Sequence, residues 1–290
     1  MGSIRKKIKE RRLLPTISFT LIRLQKLPQV LKYEIKERGL LPTISFTLIR
    51  LQKKLEDKFV IWKNKIKPSD EQQNIDLPSH SVEQNRSVWD NYDWSQSGEE
   101  WTCDAQYRGL DPLRWKNNLI NEMILKYFRR NSIILEIGPG AGRWTEFLHP
   151  LAKNLIVADI SKKCLNICKK RFNTVDKIEY RIIDKKLEFI DNNTIDHVWS
   201  YDVFVHINPS DVEKYVEDFS RILKPGGVAI IHHSGKFSNS NEKMDGWRAY
   251  MDKEQFANFV QKFGMKIIEQ NEKLVHFDGD VISVFTKPSN

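Results

Sequence analysis

Cysteine is scarce in this chain of 290 residues: Cys103, Cys164 and Cys168 are the full set. An odd, small number makes no disulfide framework and suits a reducing compartment. Cys164 and Cys168 stand four apart and would share a helix face, but no further ligand lies near them in the sequence. Two buried helix cysteines are therefore expected, and no metal site. Long apolar runs are missing too. No stretch reaches the roughly 18 uninterrupted apolar residues of a spanning helix. The N-terminus is basic, yet Pro15 and Arg23 interrupt the apolar core that a signal peptide needs, and no clear small-residue cleavage site follows. The expectation is an unprocessed, cytoplasmic chain. What is present is enough apolar material for a sizeable core, with 40% hydrophobic and 11% aromatic residues.

The net charge of +9 is unevenly spread. Residues 1–68 carry 18 Lys/Arg against 5 Asp/Glu, whereas the remainder carries 29 against 33. The basic character thus belongs to the N-terminal segment, and a uniformly basic nucleic-acid binder would look different. That segment also holds a tandem duplication. Residues 8–26 and 35–53 match at 18 of 19 positions, differing at Arg12 and Gly39. Two copies are fewer than the three or so that a solenoid needs. The repeat fits a basic, helical extension lying at the inner face of a membrane, a docking arm for a partner, or an extension without a selected role. The organisation expected is an extension at 1–68, a polar linker at 69–87 and a folded domain at 88–290. At the start of that domain Trp89, Tyr92, Trp94 and Trp101 are too dense for a solvated linker. They suit either packing over a sheet edge or closure over a ligand pocket.

The stretch around which the domain is organised is 132–145, SIILEIGPGAGRWT. A short, β-branched apolar run predicts a buried strand, Gly138, Gly140 and Gly142 make a turn, and Trp144, Phe147, Leu148 and Leu151 have helical spacing. Strand, glycine turn and helix form the first half of a nucleotide-binding α/β unit. Glycine is needed where a ligand approaches the backbone or φ turns positive. The dinucleotide fingerprint is G-x-G-x-x-G. Here the spacing is G-x-G-x-G, Arg143 takes the place of the third dinucleotide glycine, and Glu136 stands two residues before the first. A second apolar run ends at Asp159, 21 residues after Gly138. An acid at that distance meets ribose hydroxyls in nucleotide folds, although an acid after a strand also serves as a helix cap, as does Ser161.

This E-x-G-x-G-x-G stretch resembles motif I of the class I methyltransferases that use S-adenosyl-L-methionine. The resemblance covers roughly residues 89–287 and includes L-K-P-G-G at 223–227 before a strand. It implies an α/β, Rossmann-like fold: a seven-stranded sheet, mostly parallel with one antiparallel strand, flanked by helices. It further implies S-adenosyl-L-methionine as cofactor, with Glu136, Gly138, Gly140, Gly142, Asp159, Ile160, Asp184 and Tyr201 about it. Asp184 would approach the adenine amino group and Tyr201 the methionine part.

Methyl transfer is an in-line displacement, and a hydroxyl acceptor needs a base, for which histidine suits neutral pH. His206 and His233 follow the fourth and fifth strands and are the candidate bases, with closing a loop or capping a helix as the competing role of each. Arg248 is the candidate substrate contact, with surface solvation as its competing role. After the fourth strand Ser200-Tyr201-Asp202-Val203 lacks the Asn/Asp-Pro-Pro-aromatic motif of amino-methylating nucleic-acid enzymes, and no cysteine follows Cys168 to act as a cytosine C5 nucleophile. A nucleic-acid acceptor is thus not expected, and the acceptor predicted is a small molecule or glycan, through oxygen. A non-catalytic docking module, an RNA or protein methyltransferase and a nicotinamide-dependent oxidoreductase are the competing classes.

Overall fold

The structure is a computed structural model, and it describes residues 80–96, 98–100, 105–106, 109–235 and 248–289. The duplication, most of the expected linker, Trp101, Cys103 and Gly246-Trp247 lie outside the described residues.

Helix α1, Val82–Asn91, opens the described chain. Ser81 caps it, accepting from the N–H of Gln84 at 3.1 Å. The last residues of the expected linker are thus helical, with Val82 and Asn85 turned inward. Helix α2, Pro112–Leu119, starts on the Asp111 cap with proline in its first turn. It runs on as a π-helix, Ile120–Leu125, into strand β1, Ser132–Ile137.

The strands that follow are β2, Ala152–Asp159, β3, Ile178–Ile182, and β4, Ile195–Ser200. Then come β5, Leu223–Ser234, β6, Lys266–Asn271, and β7, Asp280–Thr286. They form one seven-stranded sheet in the order β3-β2-β1-β4-β5-β7-β6, parallel from β3 to β5, with β7 antiparallel to both of its neighbours. The expected sheet is thus observed. Two details differ. The helix after the glycine turn is a single turn, α3, Thr145–Leu148. Strand β5 begins at Leu223, through L-K-P-G-G rather than after it: Leu223 pairs with Ile195 and a bulge before the His197–Val228 pair absorbs the glycines.

Alternation along the strands divides the core in two. Ile134, Trp199, Tyr201, Ile230 and Ile282 face a cluster with Trp115, Met123 and Trp144 from α2, the π-helix and the glycine turn. Leu135, Val198, Ile231 and Phe285 face the other, filled by Val216 and Phe219 of α5, Pro209–Ile222, and Phe256 of α6, Lys253–Lys262. Helix α4, Lys162–Arg171, follows β2 and is capped by Ser161. The chain leaves β1 for β2 and β3, then returns to β4 on the other side of β1. A crevice opens at that reversal, outside the C-terminal strand ends.

Candidate active site

The glycine turn forms the floor of this crevice. Gly138, Gly140 and Gly142 all have positive φ. At Gly138 a side chain is excluded doubly, because a Cβ there would come within 2.2 Å of Val203 at a φ of +71°. Trp94 lies over Gly140, 2.6 Å from where a Cβ would stand. The cleft measures about 920 Å³, counting the solvent at its mouth. Its walls include Trp89, Trp94, Trp144, Tyr201 and Tyr215, and its polar groups include Asn85, Arg143, Asp159 and Asp202.

Helix α1 closes one side and is bonded down. Asn85 Nδ2 donates to the carbonyl of His206 at 2.9 Å, Arg86 Nε to that of Ile160 at 3.1 Å, and Ser161 Oγ to Asp90 at 2.6 Å. Of the two packing modes expected for the aromatic segment, Trp89 and Trp94 adopt the one over the cleft.

Asp159 ends β2 with its carboxylate buried in the cleft wall. Burial pushes its pKa up to about 7 and Asp90 adds to this, against the N–H groups of Ser161, Gly140 and Ile160 that favour the ionised form. Ile160 and Ile183 provide apolar surface beside it. A buried acceptor group, a backbone cradle without side chains and flat apolar walls suit a nucleoside with free ribose hydroxyls.

Residues 135–231 match a family model described as "Methyltransferase domain". Over this third of the chain it carries a methyltransferase domain. A ubiquinone biosynthesis O-methyltransferase from Pelagibacter ubique (strain HTCC1062) is 26% identical over 152 residues, 48% of this chain and 61% of its own. Phosphoethanolamine N-methyltransferase 2 from Caenorhabditis elegans is 25% identical over 213 residues, 65% of this chain and 47% of its own. The chain thus spans less than two thirds of the length of both. The crystal structure of a geranyl diphosphate C-methyltransferase from Streptomyces coelicolor A3(2), with Mg2+, geranyl diphosphate and S-adenosyl-L-homocysteine, superposes with a TM-score of 0.56. It covers 71% of this chain and 97% of that one, and at 11% identity it speaks for the fold.

Within the methyltransferase domain, Gly138, Gly140, Asp159, Ile160 and Tyr201 line the cleft together. Three residues expected with them do not. Glu136 is 1% exposed and sits beneath the turn, accepting from Thr145 Oγ1 at 2.6 Å. Burial raises its pKa to about 8. Gly142 turns toward Phe172, away from the cleft. Asp184 has its side chain in solvent and its carbonyl accepts from Tyr215 Oη at 3.0 Å; Ile183 is the residue that faces inward.

Neither candidate base lines the cleft. His206 lies in a 3-10 turn, Phe204–His206, its ring 5.2 Å from that of Trp89 and on the far side of that wall. His233 is fully buried on the α6 side, stacked on Phe256 at 3.9 Å, with Nδ1 at 2.7 Å from the Ser234 carbonyl and Nε2 at 2.7 Å from Ser283 Oγ. Burial lowers its pKa to about 3, which favours the neutral ring.

Arg248 is buried, 6% exposed, and is not among the residues that line the cleft. Its guanidinium bridges Asp280, at 2.9 Å, and Asp202, at 3.3 Å, and lies 4.4 Å from the ring of Phe277. Sequence reasoning missed the group to which it belongs. Asp202, two residues past β4, takes a positive φ, and its N–H donates to His232 Nδ1 at 3.0 Å. His232 Nε2 lies 3.3 Å from Asp280. His276, from the β6–β7 connection, has Nδ1 at 3.0 Å from Tyr201 Oη and Nε2 at 3.4 Å from Asp202. Burial opposes charge on Asp202, yet His276 and Arg248 hold it well below the usual carboxylate range. Ligand atoms of Asp202, His232 and Asp280 come within 4.8 Å of one another, as around a metal, but the guanidinium already supplies the cation between the two carboxylates. The signal available in the sequence was Asp202 itself, adjacent to Tyr201; nothing there joined His276 to it.

Proposed function

We propose that this chain transfers a methyl group from S-adenosylmethionine to a hydroxyl oxygen of a small molecule. One observation carries the reading: the nucleoside-type side at Asp159 and the Tyr201–Asp202 pair open on one continuous cleft. Asp159 would accept from the ribose hydroxyls, Ile160 and Ile183 would flank the base, and Gly138 and Gly140 would let the chain of the cofactor pass close to the backbone. When bound, the cofactor supplies a methyl carbon on a sulfonium: a new bond from the acceptor oxygen forms as the carbon–sulfur bond breaks and its electron pair returns to sulfur. Beside it Trp89, Trp94 and Trp144 offer aromatic faces to an apolar or flat acceptor and keep water out. Holding the two reactants in line supplies as much as about 7–11 kcal/mol of barrier lowering. The basic segment 1–68 is proposed as a contact to anionic membrane surfaces, which would bring a membrane-soluble acceptor near; co-sedimentation with phosphatidylserine vesicles at low salt tests it, and equal recovery with neutral vesicles refutes it.

The main test has two stages. Calorimetric titration should show S-adenosylhomocysteine binding and no NAD binding. Transfer of labelled methyl to a panel of phenols, sugars and primary amines then reads the acceptor class. NAD binding without S-adenosylhomocysteine binding would overturn the cofactor assignment, and transfer to amines alone would overturn oxygen.

A further inference from the structure

We propose that Tyr201, His276 and Asp202 form a proton relay that opens on the cleft at the Tyr201 hydroxyl and takes up the proton lost by the acceptor. This deepens the methyl-transfer reading above and rests on it.

The geometry runs in one direction. Tyr201 lines the cleft and is 3% exposed; His276 behind it is 2% exposed and does not touch the cleft. Tyr201 Oη meets His276 Nδ1 at 3.0 Å, His276 Nε2 faces Asp202 Oδ2 at 3.4 Å, and Asp202 Oδ1 is held by Arg248 at 3.3 Å. An ionised carboxylate accepts only, so the imidazole nitrogen that faces it carries the hydrogen. In the neutral ring Nδ1 is then bare and accepts from Tyr201. The tyrosine proton points to His276, one lone pair of Tyr201 Oη takes the His276 backbone N–H, and the other is left for a hydroxyl arriving from the cleft. His276 itself is fixed by Trp115, whose ring centroid is 5.4 Å away and whose Nε1 donates to the Leu274 carbonyl at 2.7 Å.

The second imidazole has a different task. His232 Nδ1 receives the Asp202 N–H, so its own hydrogen lies on Nε2, toward Asp280, and its ring stacks on Tyr201 at 4.2 Å. It holds the relay in place without joining it. The carboxylates of Asp202 and Asp280 face the guanidinium of Arg248. The other charged groups nearby are Arg143, on the glycine-turn side of Tyr201, and Asp278, exposed in the same connection as His276. Burial, with Asp202 and Asp280 adding to it, holds the Tyr201 hydroxyl well above the ordinary tyrosine range, so a free tyrosinate is not the base. Tyr201 serves by giving its proton to His276 as it receives one. In the step, the acceptor proton moves to Tyr201 Oη, the Tyr201 proton moves to His276 Nδ1, and the acceptor oxygen uses the electron pair so freed for its new bond to carbon. The imidazolium is held against Asp202 and returns its proton by the same path once product leaves. Tyr201 is the catalytic residue, and His276 and Asp202 position and charge it.

The test uses the full chain, labelled with 15N-histidine and saturated with S-adenosylhomocysteine. Long-range proton–nitrogen correlation reads each ring's tautomer, with His276→Gln for assignment. The expected result is a hydrogen on Nε2 of His276 and a bare Nδ1 whose resonance moves in Tyr201→Phe; Asp202→Ala should mix the tautomers. A hydrogen on Nδ1 of the parent protein overturns the proposal, since Tyr201 then has nowhere to pass its proton, and this measurement needs no variant to fold. With the phenol that the acceptor panel selects, Tyr201→Phe should lower kcat by about 10²–10⁴-fold while affinity for S-adenosylhomocysteine stays within about threefold. An unchanged kcat refutes the relay and leaves methyl transfer standing. Failure to bind S-adenosylhomocysteine at all refutes methyl transfer, whatever the tautomer.

Discussion

Asp159 gives the sharpest test of the cofactor site, because its protonation and its binding role are tied together. A carboxylate accepts from both ribose hydroxyls; each such bond to a charged group is worth about 1.5–3 kcal/mol. Asp159→Ala should therefore lose about 3–5 kcal/mol, or roughly 10²–10⁴-fold in affinity for S-adenosylhomocysteine, and Asp159→Asn about half of that in free energy. Burial gives a second signature. With the Asp159 pKa pushed up to about 7, part of the ligand-free protein carries a proton on this carboxyl at neutral pH. The form that binds is ionised, so binding must expel that proton. Affinity should rise with pH below about 7, approaching tenfold per unit, and level off above it. Calorimetry in buffers of different ionisation enthalpy, from pH 5.5 to 8.5, reads both the affinity and the proton released. Asp159→Asn should flatten the profile. Glu136→Gln should keep it, since Glu136 lies beneath the turn and not in the cleft. A flat profile in the parent protein, or the same slope in the Asn variant, would refute a ribose role for Asp159.

Glu136 should limit stability at high pH. Its pKa rises on folding from 4.5 to about 8 through burial, so the folded state holds this proton more tightly than the unfolded chain. The contribution is complete below about 4.5 and lost as pH rises through about 8, with about 3–5 kcal/mol as its ceiling; Glu136→Gln should melt higher than the parent at pH 9 and lose that advantage at pH 4.5, and identical melting curves throughout would contradict it. Gly138→Ala must place a methyl 2.2 Å from Val203 at positive φ, so urea unfolding should show a loss of about 2–4 kcal/mol together with weakened cofactor binding. His233→Ala removes a ring stacked on Phe256 and both of its polar partners; about 2–4 kcal/mol of stability should go while affinity for S-adenosylhomocysteine holds, and a selective loss of turnover instead would restore His233 as a base.

The sheet and the glycine turn were legible in the sequence because each rests on a local rule. Apolar β-branched runs make buried strands, and three glycines at alternate positions need positive φ. The acid at the end of β2 was legible for the same reason: its distance from the turn is set by one helix and one strand. What could not be read was the sharing of an interior by distant segments. Arg248 reads in the sequence as a substrate contact or a solvated cation, since nothing near it in the chain carries the Asp202 and Asp280 carboxylates that neutralise it. His276 lies 75 residues from Tyr201, and the contact depends on β7 inserting between β5 and β6, which brings their connection over the end of β4. The start of β5 was misread because L-K-P-G-G suits a helix stop, whereas the pairing of Leu223 with Ile195 extends the strand through it.

The His232–His233 pair shows how far a period-2 rule reaches. Adjacent residues of a strand point to opposite faces, so at most one of the two imidazoles could belong to the face that carries Tyr201. The choice of His233 went against that constraint, which was available once a strand was read after L-K-P-G-G. Even-numbered Ile230 belongs to the cluster with Trp199 and Tyr201, and His232 continues that row, stacking on Tyr201 at 4.2 Å. Odd-numbered Ile231 belongs to the cluster with Phe256, and His233 continues the other row. Parity alone selects His232, but its proton inventory removes it from the chemistry: one nitrogen receives a backbone N–H and the other faces Asp280. The proton acceptor for Tyr201 must then come from outside the strand, and His276 is the imidazole whose free nitrogen faces that hydroxyl.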